Sequence, residues 1–86
     1  IQAVQYSIRT NAVYQAGIRS DISSNLSLGI ILKDLGQLLD LGILPQVFCI
    51  EDFEQEQSSL IDQKMIKNGY SLKAKIYPTS IYLYNN

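Results

Sequence analysis

Histidine and tryptophan are absent from this chain of 86 residues, and cysteine occurs once. Without histidine, no mechanism that uses an imidazole as its base is available. A lone cysteine, Cys49, excludes an internal disulfide and any metal site built from several thiolates. Its solitude fits a reducing compartment or a fold that needs no bridges. Glycine is sparse, with five residues and no Gly-x-Gly, so neither a dinucleotide nor a phosphate-loop fingerprint is present. No apolar run reaches the roughly 18 residues that a membrane-spanning helix needs. The longest, residues 43–50, is broken by Pro45 and Gln46. A signal-peptide pattern is missing as well. The first residue is Ile1 rather than Met, which leads to the expectation that the chain was either processed or is a fragment lacking its N-terminal residues.

An excess of charge of either sign is also lacking. Seven basic and eight acidic side chains leave a formal net charge of −1. That weighs against a protein that binds nucleic acid by neutralising phosphates, since such domains are usually clearly basic. What is plentiful is apolar residue content, 47% of the chain, which excludes a disordered polymer and predicts one small domain over residues 1–86.

Pattern divides the chain into four regions. Val4, Tyr6 and Ile8 alternate with polar neighbours, the two-residue period of a half-buried strand. Thr10-Asn11 reads as a turn into a return strand around Val13–Gln15, weakened or bulged at Gly17. A helix over residues 11–19 is the competing reading of that stretch. Leu28, Ile31, Leu32, Leu35, Leu38 and Leu39 then make one apolar stripe of an α-helix, expected near residues 25–41. Ser24 or Ser27 is placed to cap it, and Gly42 with Pro45 to end it. Val47–Ile50 is a nearly continuous run of strand formers, as expected of a central strand. After a polar loop over residues 54–59, Asn68-Gly69 carries the strongest short-range hairpin signal, because a type I′ turn needs positive φ twice. A hairpin about it sets Met65 opposite Leu72 and Ile61 opposite Ile76 on one face, with Lys64 opposite Lys73 and Asp62 opposite Lys75 on the other. A turn at residues 78–80 leads to a last strand, residues 81–85, in which either Ile81 and Leu83 or Tyr82 and Tyr84 face inward. The fold expected is α+β: a small two-layer sandwich of one antiparallel sheet, one main helix (about 25–41) and a C-terminal β-meander (about 60–85). One helix covers only one face of a sheet, so the other face must be polar or meet something else.

Few constellations here carry chemistry. Cys49 sits in an apolar run with no basic neighbour to lower its pKa, which reads as a small buried hydrophobe rather than a nucleophile. Glu51, Asp52, Glu54 and Glu56 cluster, yet match no calcium-loop order, and read as a solvated acidic loop. Gly29, Lys33, Gly36 and Asp40 share an outward helix stripe, where two glycines suggest either a close neighbour or simple tolerance. Charge is segregated: residues 51–63 hold five acidic and no basic side chains, residues 64–86 four lysines and no acid.

These observations point to a non-enzymatic structural or protein–protein interaction module without cofactor or metal. Its expected partner is another protein or a second copy within a larger assembly, and its expected setting is the cytoplasm or a virion-like particle. Tyr70, Lys73, Lys75, Tyr77, Tyr82 and Tyr84 are the candidate contact residues, since tyrosine is enriched at interfaces. The alternative is a nucleic-acid-binding module, in which the same lysines meet phosphates and the same tyrosines stack on bases.

Overall fold

Short alternating strands and one strong helical stripe assemble into a single mixed sheet with two helices on it, an α+β fold. The computed structural model describes residues 3–23, 25–52 and 58–85. The elements in chain order are β1 (Ala3–Ser7), β2 (Ala12–Gln15), β3 (Ile18–Asp21), α1 (Leu28–Asp40), β4 (Val47–Glu51), α2 (Ser58–Lys67), β5 (Tyr70–Ile76) and β6 (Thr79–Tyr84). The strands lie in the order β3-β2-β1-β4-β6-β5.

The first hairpin forms where the alternation places it, with Tyr6 opposite Val13 and Ser7 opposite Ala12. Gly17 does not weaken β2 but turns the chain into β3: Ala16 (φ 52°) and Gly17 (φ 76°) are both left-handed, and Gln15 pairs with Ile18. That is the two-residue loop whose twist suits a hairpin. No helix forms over residues 11–19. Asn11, itself at φ 55°, accepts from the Leu26 amide through its Oδ1 and donates from Nδ2 to the Ile22 carbonyl at 2.8 Å. It thereby ties the end of β3 to the approach to α1.

The helix expected at 25–41 runs from 28 to 40. Ser27 is its cap, its Oγ accepting from the Ile30 amide. At the other end the Ile43 amide donates to the Leu38 carbonyl (2.9 Å) and the Gly42 amide to that of Leu39 (3.0 Å), closing a Schellman motif around left-handed Gly42. The crossover through α1 returns the chain parallel to its start: β4 pairs with β1 in the same direction, Val4 beside Phe48 and Tyr6 beside Ile50. The sheet is therefore mixed, not antiparallel as expected. A helix between strands supplies the length that a parallel pairing requires.

The second difference lies at Asn68-Gly69. Residues 58–67 form a helix, α2, in place of the first arm of a hairpin, and the meander reduces to β5 and β6 joined at Tyr77-Pro78. Ile61 and Met65, one helical turn apart, are both buried against the sheet, whereas an alternating strand would have put Gln63 and Lys67 on the same side as them. Gly69, at φ 92°, follows the helix as its left-handed stop, its amide bonded to the Ile66 carbonyl at 3.0 Å. A Cβ there would also stand 2.9 Å from the Tyr84 ring, so the position excludes a side chain twice over.

The core fills the space between the sheet and both helices. Val4, Tyr6, Phe48, Ile50, Tyr70 and Tyr82 from the strands meet Ile31 and Leu35 of α1 and Ile61 and Met65 of α2. The outward glycines of α1 are not closely approached among the described residues: a Cβ at Gly36 would have no atom within 4 Å, and one at Gly29 would meet only Ser27 Oγ at 3.9 Å. Gly36→Ala is accordingly expected to stabilise the fold by about 0.5–1 kcal/mol, the usual helix-interior preference. A urea-unfolding midpoint lower than that of the parent chain would show that this surface is in fact in contact.

Candidate interaction face

Side-chain alternation assigns each strand residue to one of two faces. On the helix-covered face the central aromatics interlock: Tyr6 stacks on Phe48 at 5.5 Å, Phe48 meets the edge of Tyr70 at 5.9 Å, and Tyr70 meets that of Tyr84 at 5.2 Å. Their hydroxyls reach acceptors at the border of the core. The Tyr6 hydroxyl donates to Asp34 of α1 (3.2 Å), that of Tyr82 to Asp62 of α2 (2.7 Å), and that of Tyr70 to the Pro45 carbonyl (2.7 Å). Each helix is thus held to the sheet by a carboxylate that accepts from a core tyrosine. Lys75 completes the second of these contacts, its Nζ 2.6 Å from the other oxygen of Asp62.

A bulge in β5 sets this up. Between Leu72 and Ala74 the register shifts by one residue, so Lys73 is left over. Beyond it Lys75 turns to the helix side and meets Asp62, while Ala74 and Ile76 turn to the opposite face. The opposition of Asp62 to Lys75 foreseen on a hairpin is therefore real but arises from a helix packed on a sheet, and Lys64 and Lys73 are not cross-strand partners.

These facts place the six candidate contact residues. Tyr70 and Tyr82 are fully buried, and Tyr84 packs against the core. Lys75 is engaged with Asp62. Lys73 and Tyr77 are exposed, one in the bulge and the other in the turn before β6. The structure brings Tyr70, Tyr82 and Tyr84 together in and against the core, leaves Tyr77 exposed, and does not gather the six on one accessible surface.

The opposite face of the sheet has no helix over it among the described residues. Register aligns its side chains in rows across β1, β4, β6 and β5. One row is Ala3, Val47, Leu83 and Ser71; the next is Gln5, Cys49, Ile81 and Ala74; the third is Ser7, Glu51, Thr79 and Ile76. The half formed by β4, β6 and β5 is mainly apolar, with Ile76 68% exposed and Leu83 36% exposed. Toward β3 the face turns polar. Arg9 pairs with Glu51 at 3.0 Å and Arg19 with Asp21 at 2.8 Å, while the Ser7 hydroxyl donates to the same Glu51 oxygen. Cys49 lies half-buried in the middle row, and burial raises its thiol pKa, which keeps it a poor nucleophile.

The acidic cluster is only partly described: Glu51 is spent on Arg9 and Ser7, and Glu54 and Glu56, with most of the expected polar loop, lie outside the described residues. Among the described residues no group of three or more His, Cys, Asp or Glu side chains is gathered to hold a metal ion. Among them, too, no helix is long and apolar enough to cross a membrane.

No family model, curated protein or solved structure matches this chain. Function must therefore be argued from the face itself.

Proposed function

We propose that this chain is a non-enzymatic contact module that works by docking a protein surface on its open sheet face, as one piece of a larger assembly. The observation that carries the proposal is the set of uncovered apolar side chains on β4, β6 and β5, with Ile76 and Leu83 at its most exposed points. A contiguous apolar patch of this kind on a small domain marks a place of contact more often than a bare surface. Nucleic acid is the weaker partner: Tyr70 and Tyr82 are closed off as stacking surfaces and Lys75 is engaged by Asp62.

A photo-crosslinking amino acid at position 76, compared with the same group at exposed position 33 on α1, tests the proposal in the cells that make the protein. Discrete protein adducts from position 76 and none from position 33 are expected. No adduct from position 76, or equal yields from both, would refute it.

A further inference from the structure

We infer that the outer edge of β3 pairs with β3 of a second copy of this chain, antiparallel about a twofold axis at Ser20, so that two sheets join into one. The sheet ends in two edges, β3 and β5, and they are not alike. β5 carries devices that keep edges apart: a bulge, the lysine left over at it, and a proline just past its end. β3 pairs with β2 without a bulge and holds neither lysine nor proline. All four of its residues are exposed, and among the described residues no strand lies beyond it.

Backbone direction decides which neighbour this edge accepts. The two-residue loop at Ala16-Gly17 makes Gln15 and Ile18 a bonded pair, and bonded pairs recur at every second residue. Ser20 with Val13 follows, then Ile22 with Asn11, where the Ile22 amide donates to the Asn11 carbonyl at 3.0 Å. Ile18, Ser20 and Ile22 thus turn their amides and carbonyls inward to β2. Arg19 and Asp21 turn theirs outward, to the open edge. A second β3 bonds these groups when outward residues lie opposite outward residues. Centring the twofold on Arg19 or on Asp21 sets like charges opposite each other. Centring it on Ser20 sets Arg19 opposite the partner's Asp21 and Asp21 opposite the partner's Arg19, each pair exchanging two backbone bonds.

The side chains agree with that register on both faces. Arg19 and Asp21 of one strand are already 2.8 Å apart, so on the open face four charges alternate in sign across the join. Ile18, Ser20 and Ile22 belong to the helix-covered side, with Val4 and Tyr6. There Ile18, 68% exposed, comes beside the partner's Ile22, which packs against its own core. Ser20 meets its own copy between them. One arrangement therefore answers each charge with its opposite and covers an apolar side chain that the monomer leaves in water. Two short strands make a contact smaller than a standard interface, so the dimer is expected to be weak.

Sedimentation equilibrium of the whole chain from micromolar to millimolar concentration tests the inference. The mass is expected to rise from one chain toward two. Arg19→Asp or Asp21→Arg alone is expected to weaken association on the order of tenfold, since symmetry opposes like charges twice. Both exchanges together restore the alternation of sign and should return association to the parent level. Both positions are exposed, so the variants stay folded, which circular dichroism checks. A second probe reads the register without altering charge at the join. Ser20→Cys under mild oxidation is expected to link two chains, because the twofold brings that position onto itself at a Cα separation of about 4.5 Å. Arg19→Cys should not, since position 19 is two residues out of step with its own copy, past the roughly 7 Å that a disulfide spans. The parent, with Cys49 half-buried, is the blank. A chain that stays monomeric throughout, a double exchange that stays weak, or linkage as fast through Arg19→Cys as through Ser20→Cys overturns the inference. Position 76 lies on β5, at the far edge of the sheet, so its adducts report on the contact face alone and the two readings fail separately.

Discussion

Phe48→Ala is expected to lower the thermal midpoint by on the order of 15–30 °C, enough to leave much of the chain unfolded at room temperature. Phe48 is fully buried on β4, with β1 on one side and β6 on the other. Its ring touches both halves of the aromatic cluster, Tyr6 on one side and Tyr70 on the other. Truncation to alanine removes the transfer free energy of the ring and leaves a cavity that the flanking strands are held too firmly to close, about 3–5 kcal/mol for a buried Phe. A domain of this size has a total stability of the same order, and each kcal/mol shifts the midpoint of so short a chain by about 4–8 °C. Thermal melts followed by circular dichroism give the answer, with Leu83→Ala on the open face as the comparison, expected to cost less than about 1 kcal/mol. A midpoint lowered by less than about 5 °C in Phe48→Ala would mean that the core lies elsewhere.

Much of the fold is legible in the residues because local signals and packing agree there. The stripe from Leu28 to Leu39, the cap at Ser27 and the stop at Gly42 all specify one helix, and its ends fall within three residues of the expectation. Alternation at Val4–Ile8 behaves the same way. Asn68-Gly69 does not, because a dipeptide that favours positive φ serves equally as a type I′ turn and as the end of a helix. Only the neighbours distinguish the two. Ile61 and Met65 are compatible with both periods, and what separates them is burial against β5 and β6, a fact of tertiary packing. Ala16-Gly17 is the converse case: alanine is a poor marker for a left-handed residue, so no local signal announces the turn into β3.

The face suffered more from that ambiguity than the fold did. Residues 61–67 as a strand would put the lysines and tyrosines of the C-terminal region on one accessible sheet. As a helix, the same residues cover that sheet and take Tyr70 and Tyr82 into the core. Residues 81–84 are apolar or aromatic on both sides, so the choice between Ile81 with Leu83 and Tyr82 with Tyr84 had no local signal. It is decided across the sheet, where Phe48 lies beside Tyr82 and Tyr70 beside Tyr84. The bulge at Lys73 was equally silent, and it is what places Ile76 on the open face and Lys75 under α2. That the helices lie on one face only was nonetheless foreseeable from helix coverage alone, and among the described residues the second face, with Ile81 and Leu83 upon it, has no helix over it.

The buried tyrosines set up the other large effect, a cooperative unfolding in alkali between pH 10 and about 12. In the unfolded chain a phenol titrates near pH 10. Burial, followed by the charge of neighbouring Tyr84, pushes Tyr70 up to about 12. Tyr6 and Tyr82 are raised further, first by burial and then by the Asp34 and Asp62 carboxylates that accept their hydroxyl protons. Above pH 10 the unfolded state thus gives up protons that the folded state keeps, so it binds fewer of them and stability falls with rising pH. The stability in question is fully present below pH 10 and is lost as pH climbs through the folded values. At about 1.4 kcal/mol per pKa unit, Tyr70 alone withdraws on the order of 3 kcal/mol by pH 12, and the other two add to it. Once Tyr6 and Tyr82 ionise, each becomes a phenolate beside a carboxylate with no proton between them, and both helices lose their tie to the sheet together. Phenolate absorbance and far-ultraviolet circular dichroism recorded along one pH series should therefore rise and collapse in step. Tyr82→Phe, which removes one linked proton, should make the transition shallower. Complete phenolate absorbance with the circular dichroism unchanged would mean that these hydroxyls are not held in the core, and the account of how both helices are fastened would fail with them.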